Sequence, residues 1–510
     1  MACTTILAGK GATYDGSTMI ARNDDSPSGQ YTPKKYIVVT PDMQPKTYKS
    51  VLSHVEIKLP KNPMKYTAMP NAVKGEGIWA ACGVNEKNVA MSATETITSN
   101  ERVIGADPLV EYVPASDDEQ DVYKIALGDK KDSGTAEKPG GIGEEDLVVL
   151  TLPYISSARE GVIRMGKLLE EYGTYEENGM AFSDTDEIWW LESIGGHHWI
   201  ARRVPDDTYV VMPNQQGIDY FDFDDAFGAK KDYLCSSDMR EFIAENHLDL
   251  SQDGAEFDVR AAFGSHEDAD HVYNTPRAWY MLRYFNPSDF VWDGPEAEYS
   301  PESDDLPWCM VPEKKITPED IKYILSSHFQ GTPYDPYLTY GDKSVSGAYR
   351  SIGINRNDFM GFVQIRPFMA ESCRAIQWIA FSSNAFNVMI PQFAQVNTTP
   401  EYLSNTDSNV STDNFYWTSR LISAITDASY KGCINHIERY QIAVQSKSNE
   451  IINKYNKMFS EDFSLATSQA MEEANNEIAD MVRKEAEKTL NSVLFTRSND
   501  MKNSYARSDA

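Results

Sequence analysis

The chain opens with the stretch Cys3-Thr4-Thr5-Ile6-Leu7-Ala8, followed by Tyr14-Asp15-Gly16 and then by Ser17-Thr18-Met19-Ile20-Ala21-Arg22. The first and last of these segments are rich in the β-branched and apolar residues that strands favour. The Asp-Gly pair between them is typical of a turn. The stretch therefore predicts two neighbouring strands joined as a hairpin at the start of the fold.

The rest of the chain continues with short strands separated by turns. Further strands are predicted at residues 35–40, 77–82, 89–96, 188–191, 199–201 and 209–212, with a hairpin loop at 83–86. Residues 158–172 instead place apolar side chains at helical spacing. Because the strands come in hairpins and do not alternate with helices, the pattern favours antiparallel sheets covered by helices, an α+β fold.

The C-terminal part of the chain has a different pattern. From Tyr440 onward Pro and Gly are absent, and apolar residues recur every three or four positions: Met471, Ala474, Ile478, Met481, Val482, Ala486, Leu490 and Val493. This spacing predicts an amphipathic helix. We expect it to pack along the main body, with an oligomer contact as the second choice.

The composition is that of a globular protein with a strong acidic excess. The 510 residues carry 47 Lys+Arg against 77 Asp+Glu, a net charge of −30. This field repels phosphate backbones and anionic headgroups, so we expect neither nucleic acid nor a membrane as a partner. Without a membrane-spanning apolar stretch or a signal-peptide pattern, the expected location is cytoplasmic. Six scattered cysteines without a C-x-x-C motif indicate neither a disulfide framework nor a zinc cage.

Two histidine pairs resemble metal sites but lack the required spacing. His266 and His271 are five residues apart, whereas the helical zinc-protease motif needs a separation of four. His197 and His198 precede Trp199 in a predicted strand, where neighbouring side chains point to opposite faces. At most one of them could join a site, so we expect no metal ligand set.

Cys3 has the most unusual position of the six cysteines. Two interpretations are open from position alone: a small buried hydrophobe on an edge strand, or a nucleophile that becomes N-terminal once Met1 and Ala2 are removed. An N-terminal cysteine carries its own base, because an α-amine with a pKa of about 8 lies beside a thiol with a pKa of about 8.5. The amine can accept the thiol proton and later return it to the leaving amine.

An ordered series of motifs supports the second interpretation. After Arg22-Asn23-Asp24-Asp25 come Gly83-Val84-Asn85-Glu86-Lys87, Ser92-Ala93-Thr94-Glu95-Thr96, residues 191–199, 201–207 and 212–216, Phe257-Asp258-Val259-Arg260 and Asn274-Thr275-Pro276-Arg277. The series resembles the dipeptidase A family of cysteine-type N-terminal nucleophile (Ntn) hydrolases across roughly residues 3–430. More distantly it is similar to choloylglycine hydrolases, penicillin V acylases and secernins. The resemblance implies a four-layer αββα sandwich of antiparallel sheets with a C-terminal helical extension.

The resemblance also implies the site residues. Cys3 is the nucleophile, Arg22 lies against its thiolate and lowers the thiol pKa, and Asp25 holds the α-amine. Asn214 supplies the side-chain donor of the oxyanion hole, and Glu95 matches the backbone donor. Arg260 matches a further active-site arginine that positions groups or binds a substrate carboxylate. Without the family, Arg22 with Asp25 would be interpreted as a surface ion pair, Asn214 as a turn residue and Arg260 as a surface cation.

One position departs from the family pattern. Ala2 stands between Met1 and Cys3, so removal of Met1 alone would leave the Cys3 amine as a non-basic amide. The expected organisation is therefore a propeptide at residues 1–2, a catalytic domain at 3–435 and a helical extension at 436–510. A second cleavage, autocatalytic in the simplest case, is needed to expose Cys3.

These observations predict a cysteine dipeptidase that acts through a thioester acyl-enzyme and requires no metal or organic cofactor. Its expected partners are small peptide substrates, and the resemblance leaves a homo-oligomer open. One alternative is an acyl-amide hydrolase for bile-salt conjugates or penicillin V. The other is a secernin-like interaction protein without peptidase activity.

Overall fold

The computed structural model describes residues 3–27, 29–115, 136–252 and 257–501. The predicted propeptide, residues 1–2, lies outside the described residues. The described chain contains seventeen strands: β1 (Thr4–Ala8), β2 (Thr18–Asp25), β3 (Ile37–Val39), β4 (Thr47–Lys49), β5 (Glu56–Lys58), β6 (Tyr66–Ala68), β7 (Cys82–Val84), β8 (Ala90–Thr96), β9 (Asn178–Ser183), β10 (Ile188–Ile194), β11 (His198–Arg203), β12 (Tyr209–Met212), β13 (Tyr233–Cys235), β14 (Cys309–Met310), β15 (Asn357–Ile365), β16 (Ala375–Phe381) and β17 (Ile390–Phe393).

Thirteen α-helices lie in the described ranges, and most of them are short. They are α1 (Glu101–Ala106), α2 (Leu147–Thr151), α3 (Ala158–Tyr172), α4 (Phe223–Phe227), α5 (Met239–Glu245), α6 (Val259–Phe263), α7 (Asp270–Tyr273), α8 (Thr275–Phe285), α9 (Pro318–Leu325), α10 (Glu401–Ser404), α11 (Phe415–Asp427), α12 (Tyr430–Glu461) and α13 (Ser468–Asn499).

Two antiparallel sheets form the centre of the molecule. The seven-stranded sheet has the order β14-β12-β1-β2-β15-β16-β17, and the six-stranded sheet has the order β13-β11-β10-β9-β8-β7. The sheets stack face to face, since β2 contacts β8 and β9 while β15 and β16 contact β7. The N-terminal hairpin predicted from the opening stretch is confirmed: β1 pairs with β2 and lies inside the larger sheet.

Helices cover the outer face of each sheet. On one side α2 contacts β8, and α3 packs across β9, β10 and β11. On the other side α8 contacts β12, α11 contacts β16, and both α12 and α13 contact β17. The arrangement is the four-layer αββα sandwich that the family resemblance implied, built mainly from antiparallel hairpins.

The helix predicted at residues 158–172 is confirmed at both ends. The side chain of Ser157 accepts a hydrogen bond from the backbone N–H of Glu160 and caps the first turn. The helix ends at Gly173, whose φ of +66° lies in the left-handed region that favours glycine. Between these signals the apolar side chains of Val162, Met165 and Leu169 are buried against the six-stranded sheet.

The strand predicted at residues 77–82 is wrong. Trp79 and Ala81 have φ values of +32° and +55°, which a strand does not tolerate. The strand begins only at Cys82 and runs to Val84, so the predicted loop at 83–86 overlaps its end. Because of this left-handed backbone, the first strand of the hairpin begins at Cys82 and not at residue 77.

The predicted C-terminal amphipathic helix is present as α13, preceded by the equally long α12. Met471, Ala474, Ile478, Val482, Ala486 and Val493 are buried in it and belong to the core of the large sheet. The helix therefore packs along the main body, which was the first of the two expectations. The domain boundary at residue 435 stays a prediction. No helix in the described ranges is long and apolar enough to cross a membrane.

Candidate active site

Cys3 lies at the head of β1, completely buried between the two sheets. Side chains two residues apart on a strand share a face, so Cys3 and Thr5 point the same way. Thr5 faces Arg22 across the β1–β2 pairing. The register thereby brings the Arg22 guanidinium to the thiol: its Nη1 donates a hydrogen bond to Cys3 Sγ at 3.0 Å.

Arg22 is held in place by a buried polar network. The same Nη1 lies 2.9 Å from Asp24 Oδ1, and Nε donates to Ser92 Oγ at 3.2 Å. Lys34 Nζ approaches the other oxygen of Asp24 at 2.8 Å. Burial alone would raise the pKa of Asp24, but Lys34 and Arg22 lower it to about 2. Asp24 is therefore ionised and fixes the direction of the Arg22 side chain.

The thiol itself is poorly acidic in this environment. Burial raises the pKa of Cys3 to about 12, although Arg22 lowers it. Arg22 acts in the expected direction on the thiol pKa, but the desolvation of the thiolate outweighs its effect. Glu95, Asp24 and Asp25 raise the pKa further. The thiol needs a proton acceptor in order to attack.

Asp25 borders the same group at the end of β2. One of its oxygens accepts a hydrogen bond from Asn357 Nδ2 at 2.9 Å, and the other forms an ion pair with Arg350. Arg350 also donates to Thr4 Oγ1 at 3.4 Å. The charge of Asp25 raises the pKa of the Cys3 thiol. Its bond to the α-amine of Cys3 stays a prediction.

Asn214 follows β12, the strand that pairs with β1 on its other side. Its Nδ2 donates to the backbone oxygen of Thr96 at 2.9 Å, and its Oδ1 accepts from Arg277 Nη2 at 2.8 Å. These opposite partners fix which end of the amide carries the N–H groups. The structure therefore places an oriented amide next to the head of β1.

Arg277, for which the sequence pattern predicts no role, connects these residues. It is completely buried in the first turn of α8. Its Nη1 donates to the backbone oxygen of Cys3 and to Thr4 Oγ1, the latter at 2.7 Å. Its Nη2 binds the side-chain oxygens of Asn214 and Asn274. One guanidinium thus ties the nucleophile strand to the amide of Asn214.

The side chain of Glu95 contacts strand β1 beside the nucleophile. Its Oε2 accepts a hydrogen bond from Thr5 Oγ1 at 2.6 Å. Burial raises the pKa of Glu95 to about 8, against the opposing charge of Arg277. The β8–β9 pairing shifts register between Ala93 and Glu95, a β-bulge of the kind that takes a residue out of the ladder. The expected backbone donor at Glu95 stays a prediction.

The structure does not bring Arg260 to this group, contrary to the expectation from the sequence. Its guanidinium donates to the backbone oxygens of Asp304, Leu306 and Gly217 at 2.7 to 2.9 Å. It lines a separate cavity of about 320 Å³. The physical reason is that these three carbonyls draw the side chain toward the 304–306 loop. Arg277, not Arg260, contacts the Cys3 backbone, and a role for Arg260 in positioning or in binding a substrate carboxylate stays a prediction.

The adjacent histidines contact the same carboxylate, and the prediction that at most one of them joins a functional site stays untested. His197 and His198 both use Nδ1 to bind the carboxylate of Asp107, at 2.8 and 2.7 Å. Strand β11 begins only at His198, so His197 lies in the turn and the strand alternation does not apply. Among the described residues no group of three or more His, Cys, Asp or Glu could hold a metal ion.

Two stacked antiparallel sheets between helical layers, with a cysteine buried at the head of a central strand, define an αββα class of fold. Within that class the chain belongs to peptidase family C69, whose family model matches residues 2–443.

Proteins similar over their full length carry dipeptidase names. The dipeptidase of Bifidobacterium longum (strain NCC 2705) is 52% identical, with 100% of both chains covered. The probable dipeptidase A of Streptococcus pyogenes serotype M3 is 49% identical, again over 100% of both chains. Dipeptidase A of Lactobacillus helveticus is 43% identical over 84% of this chain and 82% of its own. Among solved structures, a mutant of the conjugated bile acid hydrolase from Clostridium perfringens aligns with 75% of this chain and 89% of its own, at 11% identity and a TM-score of 0.27.

Proposed function

We propose that this protein is a cysteine dipeptidase that uses Cys3 as an N-terminal nucleophile. The observation that carries the proposal is the contact between Arg22 Nη1 and Cys3 Sγ inside a buried polar group. A structural cysteine needs neither a cation at its sulfur nor an oriented amide beside its strand. The dipeptidase names of the full-length relatives supply the substrate class.

The first step is attack of Cys3 Sγ on the scissile carbonyl of a dipeptide. The α-amine of Cys3 accepts the thiol proton as the S–C bond forms. The proton then passes to the leaving nitrogen as the C–N bond breaks, which releases one amino acid and leaves the other as a thioester. Arg22 stabilises the thiolate during transfer, because its cation lies in hydrogen-bonding contact with the sulfur.

The tetrahedral intermediate places a negative charge on the former carbonyl oxygen. The Nδ2 group of Asn214 and a backbone N–H near the bulge at Glu95 are the donors we assign to this oxyanion. Arg277 acts as a positioning residue, since it binds both the Cys3 backbone and Asn214 Oδ1. A water molecule then attacks the thioester, gives its proton to the α-amine and releases the second amino acid, after which the thiol is restored.

The mechanism requires a free α-amine at Cys3. We therefore propose that residues 1–2 are removed as a propeptide. The same thiol is the nucleophile available for an autocatalytic cleavage: Sγ attacks the carbonyl carbon of Ala2, the Ala2–Cys3 C–N bond breaks as the acyl group moves to sulfur and the α-amine takes up the thiol proton, and water then hydrolyses the thioester to release Met1-Ala2.

The test compares a panel of dipeptides with acyl-glycine amides as substrates. We expect turnover of dipeptides by the wild type and loss of turnover by Cys3→Ala. The matched control is Cys235→Ala, a half-buried cysteine in β13, which should keep full activity. Turnover of the acyl amides alone would replace the dipeptidase with an acyl-amide hydrolase. Full dipeptide turnover by Cys3→Ala would contradict the nucleophile assignment.

A further inference from the structure

Glu95 is a buried carboxylate with an incomplete set of partners. Its side chain is 0% exposed, and Oε2 accepts the hydrogen bond from Thr5. Its Oε1 is buried and has no hydrogen-bond donor among the described residues. Buried carboxylate oxygens are ordinarily paired, because an unpaired one loses its hydration without compensation. The unpaired oxygen is therefore available to accept a hydrogen bond from a bound ligand.

Four other buried carboxylates among the described residues show the contrast, whereas Glu144, with an unpaired Oε2, resembles Glu95. Glu192 Oε1 accepts hydrogen bonds from the backbone of Gly217 and from Trp190, and the two oxygens of Glu145 accept the hydroxyls of Ser50 and Tyr175. Near the thiol, Asp24 is paired with Arg22 and Lys34, and Asp25 with Arg350. In the described ranges Glu95 has no cation within ion-pair distance.

The position of Glu95 ties this oxygen to the reaction. Its hydrogen-bond partner Thr5 shares a strand face with Cys3. The charge of Glu95 raises the pKa of the Cys3 thiol, and Arg277 and Arg22 act on the pKa of Glu95 in turn. The carboxylate therefore lies near the nucleophile, on the strand face that Thr5 shares with Cys3.

We propose that the Glu95 carboxylate binds the α-ammonium group of the dipeptide substrate. This inference rests on the proposed function. In a dipeptide the ammonium nitrogen is two bonds from the scissile carbonyl carbon, so a carbonyl held at Cys3 Sγ places the ammonium within a few ångströms of the thiol. An ammonium group brings three N–H donors and one positive charge, which are what Glu95 lacks. Glu95 thereby selects substrates with a free N-terminus over neutral acyl amides.

The test uses two substrates that differ only in the ammonium group, Ala-Ala and propionyl-alanine. Wild type, Glu95→Gln and the control Glu145→Gln are compared; Glu145 is also buried, and both of its oxygens accept hydroxyl hydrogen bonds. We expect Glu95→Gln to lower kcat/KM for Ala-Ala by about 30-fold or more, mainly through KM, because it removes one partner of a buried charge pair. Propionyl-alanine, followed by turnover or as a competitive inhibitor of Ala-Ala hydrolysis, should change little.

The possible results separate this inference from the proposed function. Equal losses on both compounds would assign Glu95 to proton transfer or to positioning of the thiol, and an unchanged kcat/KM for Ala-Ala would remove it from the site. Either result overturns ammonium binding while leaving the dipeptidase in place. A wild type that hydrolyses no dipeptide would instead overturn the proposed function. Glu145→Gln should keep the ratio of the two substrates, which shows that loss of a buried carboxylate alone does not change selectivity.

Discussion

Arg22 Nη1 lies 3.0 Å from Cys3 Sγ, although the two residues are nineteen positions apart in the sequence. The pairing of β1 with β2 produces this contact by placing Arg22 opposite Thr5, on the face that Cys3 shares. A turn of fixed length between the strands is enough to set the register. The N-terminal hairpin is therefore both the centre of a sheet and the core of the site.

Replacing Arg22 should make the thiol less acidic. Arg22 is the group that opposes the effect of burial on the pKa of Cys3, so Arg22→Leu should raise that pKa. We expect the rate of alkylation by iodoacetamide at neutral pH to fall about tenfold or more, with a matching fall in dipeptide turnover. The control is Arg202→Leu, whose guanidinium binds Asp219. A thiol that reacts equally fast in Arg22→Leu would separate the arginine from the nucleophile.

Replacing Glu95 should have the opposite effect on the same group. The charge of Glu95 raises the pKa of Cys3, so Glu95→Gln should lower it. The pH profile of alkylation should shift to lower pH, and the rate should rise at a fixed pH between about 8 and 12, where Glu95 is ionised and the thiol is not. A profile that stays in place, in a variant that melts at the wild-type temperature, would show that the carboxylate does not face the thiol.

Removing the amide of Asn214 should lower kcat more than it changes KM. A donor to the oxyanion acts in the transition state, and losing one reduces kcat about 100- to 1000-fold. Asn214→Ala is compared with Asn246→Ala, whose amide binds the backbone of its own helix. Steady-state kinetics with one dipeptide suffice. A fall in kcat of less than about threefold for Asn214→Ala would exclude the amide from the oxyanion hole.

Two glycine substitutions should have opposite effects on stability. Gly361 faces Arg22 on β15, and a Cβ there would lie 2.4 Å from Cys82 Sγ. We expect Gly361→Ala to destabilise the fold by about 1–3 kcal/mol. Gly105 in α1 has open space around it, so Gly105→Ala should stabilise by about 0.5–1 kcal/mol. Denaturant unfolding measures both, and a Gly361→Ala variant that is not destabilised would refute the packing assigned to β15.

The fold could be predicted where local signals decide it. The opening hairpin follows from strand residues around a turn at Gly16, whose φ is +80°, and helix α3 from its apolar spacing and Gly173. The failure at residues 77–81 has a different origin. Trp79 and Ala81 adopt left-handed backbone although neither is a glycine, so the local sequence contains no signal for it. Only tertiary contacts could specify this conformation.

The site could be predicted only in part, because its residues come from distant segments. Cys3 and Arg22 share a hairpin, and local pairing brings them together. Arg277 contacts Cys3 although the two residues are 274 positions apart in the sequence. The motif around Arg260 was equally compatible with an active-site arginine. The sequence signal near Arg277 is the helix start at Thr275-Pro276. This signal places Arg277 in the first turn of a helix but does not indicate which residues its side chain contacts. Only the packing of α8 against β12 distinguishes the two arginines.

The central claim is that Cys3 acts with its own free α-amine. The most direct measurement is the intact mass and N-terminal sequence of the purified protein, taken together with its turnover of a dipeptide before and after treatment with a thiol alkylator. The account predicts a chain that begins at Cys3, hydrolyses the dipeptide and is silenced by alkylation. An active chain that still carries Ala2 would contradict it, because the Cys3 nitrogen would then be an amide that cannot accept the thiol proton.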